Sequence, residues 1–382
     1  MVETVKREAY EIIVVGGGIA GVSAAVSAER AGKKVLLIEK SVNLGGLATN
    51  GLISWFEPLC DGEGKQMIFG MAEELIRLSV KYSFDNLPVY WGGSNTVKKR
   101  YATSFSPTVF SLALDEFVAE SGVKIRFDTY ATYPVMEEGH CTGVMCESAN
   151  GREFFPAAVI IDATGDASIC HRAGMPTVVG ENYMTYIAHY YDDAAIHTYM
   201  ENGDTCNFRK WKNNGSDLWG NGHPEGLRML KGDTAEDITD YVLYGKKRLF
   251  ENIKRRNRNS FDIMALPTMP QFRKIRRIAG AGDFEAVDGL KFTDSIGDCG
   301  DFRPSGIGKH YQIPYRALYH PEFDNILACG RIISAPEGDG WEVARVIPVC
   351  ALTGEAAGKA AAKAIEDGIA VTEVKYEELR VK

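Results

Sequence analysis

An α/β fold built around a parallel sheet is what this sequence predicts, and three observations predict it. Residues 11–15 (EIIVV) form an apolar, β-branched run that meets Gly16-x-Gly18-x-x-Gly21 without a gap. A segment of small and apolar residues at helical spacing follows and closes on Gly32, and VLLIE at 35–39 is a second apolar run ending in an acid. Two more such runs, around 157–163 and 325–329, each lead into a glycine-containing turn. Runs that are apolar throughout, rather than alternating, belong to strands covered on both faces.

The first unit can be justified residue by residue. Gly16 permits the turn out of the strand, Gly18 lets a pyrophosphate approach the backbone, and Gly21 lets the helix lie close to the strand. Amides and dipole at the start of that helix favour a phosphate's charge. Glu39 can accept hydrogen bonds from ribose hydroxyls, and a carboxylate there disfavours a 2′-phosphate, so NADP is not expected. With strand, helix, second strand and acid in place, the pattern reads as a dinucleotide site rather than a bare glycine turn. Alone, it does not separate NAD from FAD. Lys6 and Arg7 ahead of an apolar run could pass for a secretory signal, but Gly16, Gly17 and Gly18 interrupt the run, which reads as the first strand and helix of the fold.

Later segments decide the cofactor. Gly45-Gly46-Leu47-Ala48-Thr49 places a glycine pair shortly after the acid, and AAVIIDATGDAS runs a strand into Thr164-Gly165-Asp166. FDNILACGRIIS ends a strand on Gly330-Arg331, and RVIPVCALTGEAAGKAAAKAIEDG is a helix rich in alanine and glycine. In this order, and together with SPTVFSLALDEFVAESGVKI, RKIRRIAG and YQIPYRALYHPEFDNILACGR, the chain resembles the FAD-dependent oxidoreductase family with the glutathione-reductase-like, Rossmann-type FAD-binding fold over nearly its whole length.

That resemblance implies FAD and a two-domain layout. Residues 1–54, 106–175 and 311–382 would form a discontinuous FAD-binding domain, its parallel sheet flanked by helices and joined to a β-hairpin or meander layer. Residues 55–105 and 176–310 would form a mixed α+β substrate or cap domain. Gly16, Gly18, Ile19, Ala20, Gly21, Glu39 and Lys40 would surround the ADP portion, with Ala163, Thr164, Gly165 and Asp166 beside it and Ala131 as a backbone contact to adenine. Gly45, Gly46, Leu47 and Thr49 would follow the pyrophosphate and ribityl chain, which Gly330 and Arg331 would also touch. Arg345, Val346 and Ile347 precede the final helix, whose amides would face the flavin O2 side and favour the reduced anion. Pro348 suits the first turn of that helix.

The same resemblance implies catalytic candidates. Arg276, in the basic stretch Arg273-Lys274-Ile275-Arg276-Arg277, would orient an anionic or hydroxylated substrate, with Arg345 also at the flavin. His310, or else His189, would move a proton. Relatives often carry a histidine between the positions of Arg331 and Arg345; here the segment is IISAPEGDGWEVA, with Glu337, Asp339, Trp341 and Glu342.

The remaining sequence sets boundaries. A chain of 382 residues is more than one hydrophobic core usually covers, and a net charge of −8 disfavours nucleic acid or an anionic membrane as partner. The eight cysteines are scattered with no C-x-x-C pair, which speaks against a metal site, a cluster or a redox disulfide and for reduced thiols in a cytoplasmic protein. Gly306-Ile-Gly308 lacks a third glycine and a preceding strand, so no separate nicotinamide domain is expected. In the cap, KQMIFGMAEELIRLSVKY and DITDYVLYGKKRLFENIKRRNR read as helices, and CNFRKWKNNGSDLWGNGHPEG as loop. The expected activity is hydride transfer between flavin N5 and a C–H bond next to oxygen or nitrogen, in a polyol, sugar, glycoside or similar small molecule. Reduction of an activated C=C bond in the manner of fumarate reductase relatives, or an electron-transfer subunit, are the alternatives. A homo-oligomer is compatible with all three.

Overall fold

The computed structural model describes residues 4–85, 87, 101–203 and 208–380. Each apolar run is a buried strand. Tyr10–Val15 pairs in parallel with Val35–Ile38 on one side and with the second half of Gly151–Asp162 on the other. Lys124–Arg126 and Ile326–Ala328 extend the parallel set at its two ends. The first half of Gly151–Asp162 pairs antiparallel with His140–Ser148, which pairs with Tyr130–Glu137, so one long strand joins a parallel sheet to a three-stranded meander. Among the described residues this is an eight-stranded sheet. The expected α/β class, with a Rossmann-like layer and a meander, is what the structure has.

Helices Ile19–Arg30 and Ile347–Asp367 cover the parallel sheet, and their contact is unusually close. A Cβ at Gly354 would lie 2.2 Å from the Ala20 carbonyl oxygen, and one at Gly358 would lie 2.3 Å from that of Ala24. Helices Met71–Val80 and Pro107–Ser121 pack into the same core. The latter starts on Ser106, whose hydroxyl accepts from Val109 N, with Pro107 in its first turn, and it ends on Gly122 in the left-handed conformation.

The cap has its own small core of Met184, Tyr186, Ala188, Leu230, Tyr241, Leu249, Phe272 and Ile275. Strands Lys210–Asn213, Ile187–Asp192 and Phe261–Ala265 form its antiparallel sheet. Helix Ala235–Lys254 lies against that sheet through Gly245, where a Cβ would meet the Tyr186 ring at 2.2 Å.

Four expectations change. Strand Lys210–Asn213 stands inside the segment read as loop, because its aromatic and basic residues alternate across the strand. The helix expected across 65–82 begins only at Met71, after Gly70 takes a positive φ of 63°. Phe56, Leu59, Met71, Leu75, Ile296 and Cys299 share the core of the nucleotide layer rather than that of the cap. We therefore propose a cap narrower than the expected division, drawn mainly from 176–294. Near Gly306 a strand does precede, at Ser295–Cys299, but it pairs antiparallel with Tyr311–Pro314, and only the 3-10 turn Pro304–Gly306 lies between them. Cys206 and most of the stretch after residue 85 lie outside the described residues.

Replacing Gly358 with Val forces the two helices apart. We expect a loss of about 1–3 kcal/mol or more, read as a lower thermal midpoint, whereas Ala361→Gly, in the same helix, should cost only about 1 kcal/mol plus its small packing loss. An unchanged midpoint for Gly358→Val would show that the helices do not approach as described.

Candidate active site

The first strand and helix meet in a tight corner. Gly16 has φ +102°, and a Cβ there would fall 2.6 Å from the Ala163 carbonyl oxygen; one at Gly21 would fall 1.8 Å from the Gly16 carbonyl oxygen. Gly18 differs: a Cβ built on it meets nothing within 4 Å. The open space lies at the start of helix Ile19–Arg30, where unpaired amides and the dipole favour an anion. The Glu39 carboxylate is fixed by Gly17 N at 2.7 Å and Ser41 N at 2.8 Å.

A small cavity of about 50 Å³ opens beside that corner. Gly16, Glu39, Lys40, Thr129, Tyr130, Ala131, Thr164, Asp166 and Ser168 line it, bringing together segments far apart in sequence. The Thr164–Asp166 turn is held by the fully buried Asp162, which accepts from Thr164 Oγ1 at 2.6 Å and from the Ile169 and Cys170 amides. Burial holds the Asp162 carboxyl above the usual range. Gly165 has φ +76° and its carbonyl accepts from Arg331 Nε at 2.7 Å, so the turn after Gly151–Asp162 and the turn after Ile326–Ala328 are joined.

The Gly45–Gly46 turn packs against the Gly17–Gly18 corner, where a Cβ at Gly46 would lie 3.2 Å from Gly18 Cα. Gly45 N donates to the Gly17 carbonyl at 2.8 Å, and Thr49 Oγ1 donates to the Leu44 carbonyl at 2.5 Å. Leu47 and Ala48 then line a second cavity of about 590 Å³, whose far wall is Arg345, Val346 and Ile347 at the start of the final helix. Phe302, Trp55, Tyr183, Trp211, Arg273, Lys274 and Glu342 contribute the rest of the wall that matters below.

The cations of this cavity are unequally satisfied. Glu342 accepts from Arg345 Nε at 2.8 Å and lies 3.3 Å from Lys274 Nζ, which also pairs with Glu337. Arg273 Nη1 is buried and has no partner among the described residues. Burial, then the neighbouring Arg345 charge, push the Arg273 guanidinium down to about 10, still a cation at neutral pH.

The three other catalytic candidates stand elsewhere. Arg276 lies outside the lining of the large cavity and turns to the Asp166 carbonyl at 3.3 Å, because pairing of Arg276 with Val179 points it at the Gly165 turn. His310 also lies outside the lining, held by Asp61 at 2.9 Å. His189 is 2% exposed, stacks on Trp211, and bonds the Leu52 carbonyl at 3.2 Å. Burial, then the Arg209 charge, lower its pKa to about 4, so it is neutral at working pH. Arg345 does line the cavity. Arg273 was in view in the sequence as one of four basic residues; Trp55, Tyr183 and Trp211 carry no signal beyond aromatic richness.

A glycine corner, an acid at the end of the second strand, and a cleft leading to a second helix start define a dinucleotide-binding flavoprotein. The open face of Gly18 and the small cavity at Glu39 suit a pyrophosphate and an adenosine; the large cavity suits a ring system with a substrate beside it. The sequence pattern of the FAD dependent oxidoreductase family matches residues 11–281 and 259–382, and the chain belongs to that family. The chain is 27% identical over 192 residues to a digeranylgeranylglycerophospholipid reductase of Methanoculleus marisnigri, covering 47% of this chain and 45% of that protein. It is 28% identical over 79 residues to a thioredoxin reductase of Ureaplasma parvum, covering 21% and 26%. The chain thus spans less than half the length of either relative. Among solved structures, a geranylgeranyl bacteriochlorophyll reductase-like protein from Thermoplasma acidophilum aligns at 15% identity over 96% of this chain and 80% of that one, with a TM-score of 0.46. The p-nitrophenol 4-monooxygenase of Pseudomonas putida aligns at 13% identity over 98% and 84%, with a TM-score of 0.49. No helix of the described residues is long and apolar enough to cross a membrane.

Two predictions follow from the corner and from the buried imidazole. Gly18→Ala should leave the FAD-free protein as stable as before, or stabilise it by up to about 1 kcal/mol, while lowering the fraction of protein purified with flavin. Equal flavin content in both proteins would refute the placement of the pyrophosphate. His189 binds a proton in the unfolded chain from pH 6.5 downwards but in the folded one only near 4. Stability is therefore full above pH 6.5 and falls as pH drops towards 4, by up to about 3 kcal/mol. Urea midpoints across that range should show a shallower fall in His189→Gln; parallel curves would mean that His189 is not buried neutral.

Proposed function

We propose that this enzyme oxidises a C–H bond next to oxygen or nitrogen in a small anionic molecule, whose carboxylate rests on Arg273. One observation carries the reading: Arg273, which lines the cavity beside the final helix, has a buried guanidinium nitrogen with no hydrogen-bond partner among the described residues. Leaving such a donor unpaired costs about 1–3 kcal/mol, which an anionic ligand returns. We read the chain as the glutathione-reductase-like variant of the family, supported by the long strand that links the parallel sheet to the meander.

When bound, FAD supplies the two-electron acceptor for the hydrogen leaving the substrate carbon. Gly16, Gly18, Ile19, Ala20, Gly21, Glu39, Lys40, Ala131 and the Ala163–Asp166 turn hold its ADP half in this reading. Gly45, Gly46, Leu47, Thr49, Gly330 and Arg331 lie along its middle, and Arg345, Val346 and Ile347 meet its ring. Arg273 orients the substrate. Its proton on oxygen or nitrogen has Glu57 to leave to, since no histidine lines the cavity among the described residues. The proton role expected of His310 and His189 is accordingly reassigned. The same cation cluster of Arg273, Lys274 and Arg345 also favours the reverse chemistry, addition of hydrogen to an enoate, so the test must run both ways.

Anaerobic flavin spectra supply that test. Hydroxy acids or amino acids should bleach the oxidised holoenzyme, or enoates should reoxidise the reduced one. Arg273→Met should raise the half-saturating concentration about 10- to 100-fold, and Arg276→Met should change it no more than about threefold. Equal effects of the two substitutions, or bleaching by neutral polyols alone, would overturn the reading.

A further inference from the structure

The charges that line the large cavity differ in exposure. Arg273, Lys274 and Arg345 form its more buried end, the side chains of the last two being 16% and 11% exposed, while Glu337, a partner of Lys274, is 57% exposed. The cavity's solvent end holds Glu181, Asp217 and the partly open rings of Trp55, Tyr183 and Trp211, which are 43%, 41% and 39% exposed. Glu57 is half-buried between them.

Among the described residues no cation pairs with Glu181 or Asp217 at this mouth. Strand alternation sends Trp211 and Asn213 to the cavity and Lys210 and Lys212 away from it. Lys210 pairs with Asp192 at 2.8 Å, and Lys212 lines a separate crevice with Tyr190 and Arg256. Arg209 pairs with Asp85 at 2.9 Å, and Arg228 with Asp237. Hydrogen bonds from Asn221 and from backbone amides lower the Asp217 pKa, and Asp217 meets no cation among the described residues. Aromatic faces beside uncompensated carboxylates attract a cation, and they do so more strongly where water is partly excluded.

We propose that the substrate is zwitterionic: its carboxylate occupies the buried end at Arg273, and a cationic nitrogen occupies the mouth among Glu181, Asp217, Trp55, Tyr183 and Trp211. This rests on the proposed anchoring at Arg273 and adds the chemistry of the other end. A neutral polyol fills neither end well, and a simple carboxylate fills only one. Opposite charge at the two ends also fixes which way round the molecule enters.

Binding to the oxidised holoenzyme, followed by calorimetry and by the shift in flavin absorbance, separates the two claims. The probes are two matched pairs, β-alanine with propanoate and ε-aminocaproate with caproate. In at least one pair the amino compound should bind about tenfold more tightly than its plain carboxylate. Glu181→Gln with Asp217→Asn, which keeps a turn-forming acceptor at 217, should remove that preference and leave the affinity of the plain carboxylate. Arg273→Met should weaken all binding. Plain carboxylates that bind as tightly as their amino partners, yet still depend on Arg273, would overturn the zwitterion and leave the anchor standing. A preference that survives the double substitution also overturns it. Indifference to Arg273→Met, or no binding by either pair, overturns the anchor and the zwitterion together.

Discussion

The contact between the first and last helices is the constraint on which the site depends. Gly354 against Ala20 and Gly358 against Ala24 keep step along the two helices, so the helices run in the same direction. Gly354 is seven residues into its helix and Ala20 only one into its own, so the final helix begins about six residues earlier along the shared axis. At 1.5 Å per residue, the two helix starts are offset by roughly 9 Å. The first helix starts beside the glycine corner at Gly18, and the second, at Ile347, starts on the large cavity. A pyrophosphate and a flavin ring need two such sites of positive potential, spaced along one molecule. Larger residues in place of the two glycines would separate the helices and change that spacing.

Buried polar groups, rather than apolar contacts alone, attach the cap to this frame. Gln271, nearly fully buried, donates to the Gly51 carbonyl at 2.6 Å and to the Ile187 carbonyl at 3.0 Å, and accepts from Ile187 N. One amide thus joins the loop after the second glycine pair to the strand that carries the cavity wall. His189 makes the neighbouring join to Leu52, and Trp211 Nε1 donates to Ser54 Oγ at 3.0 Å. Groups of this kind tolerate little displacement, since a buried donor without its acceptor is expensive. They set the register of the cap wall on the cleft, and with it the position of Trp211.

What the sequence made legible divides along the same line. Elements whose chemistry is local could be read directly: the Gly16–Gly21 corner, the acid at Glu39, the Thr164–Asp166 turn and the alanine- and glycine-rich last helix all announce themselves by spacing. The cavity's substrate end could not, because its residues come from segments that no period connects. Arg273 and Arg276 are three residues apart in one basic stretch, and only the pairing of Val179 with Arg276 decides which of them faces the cavity. Strand Lys210–Asn213 was hidden for a related reason: two lysines and a tryptophan look like a polar loop until their alternation is placed beside Ile187–Asp192. His310 drew attention by its place before a strand, yet Asp61, distant in sequence, claims it.

Charge balance at the buried end ties these threads together. Glu342 shares itself between Arg345 and Lys274, while Glu337 takes Lys274. Among the described residues neither reaches the Arg273 guanidinium, whose Nη1 is buried without a partner. In the proposed reading a ligand carboxylate meets that nitrogen, close to the start of the final helix, whose own dipole adds to the same field. Glu342 limits that field by holding Arg345, so the unmet charge is concentrated on a single side chain, which gives an anion one defined place to bind rather than a diffuse basic wall.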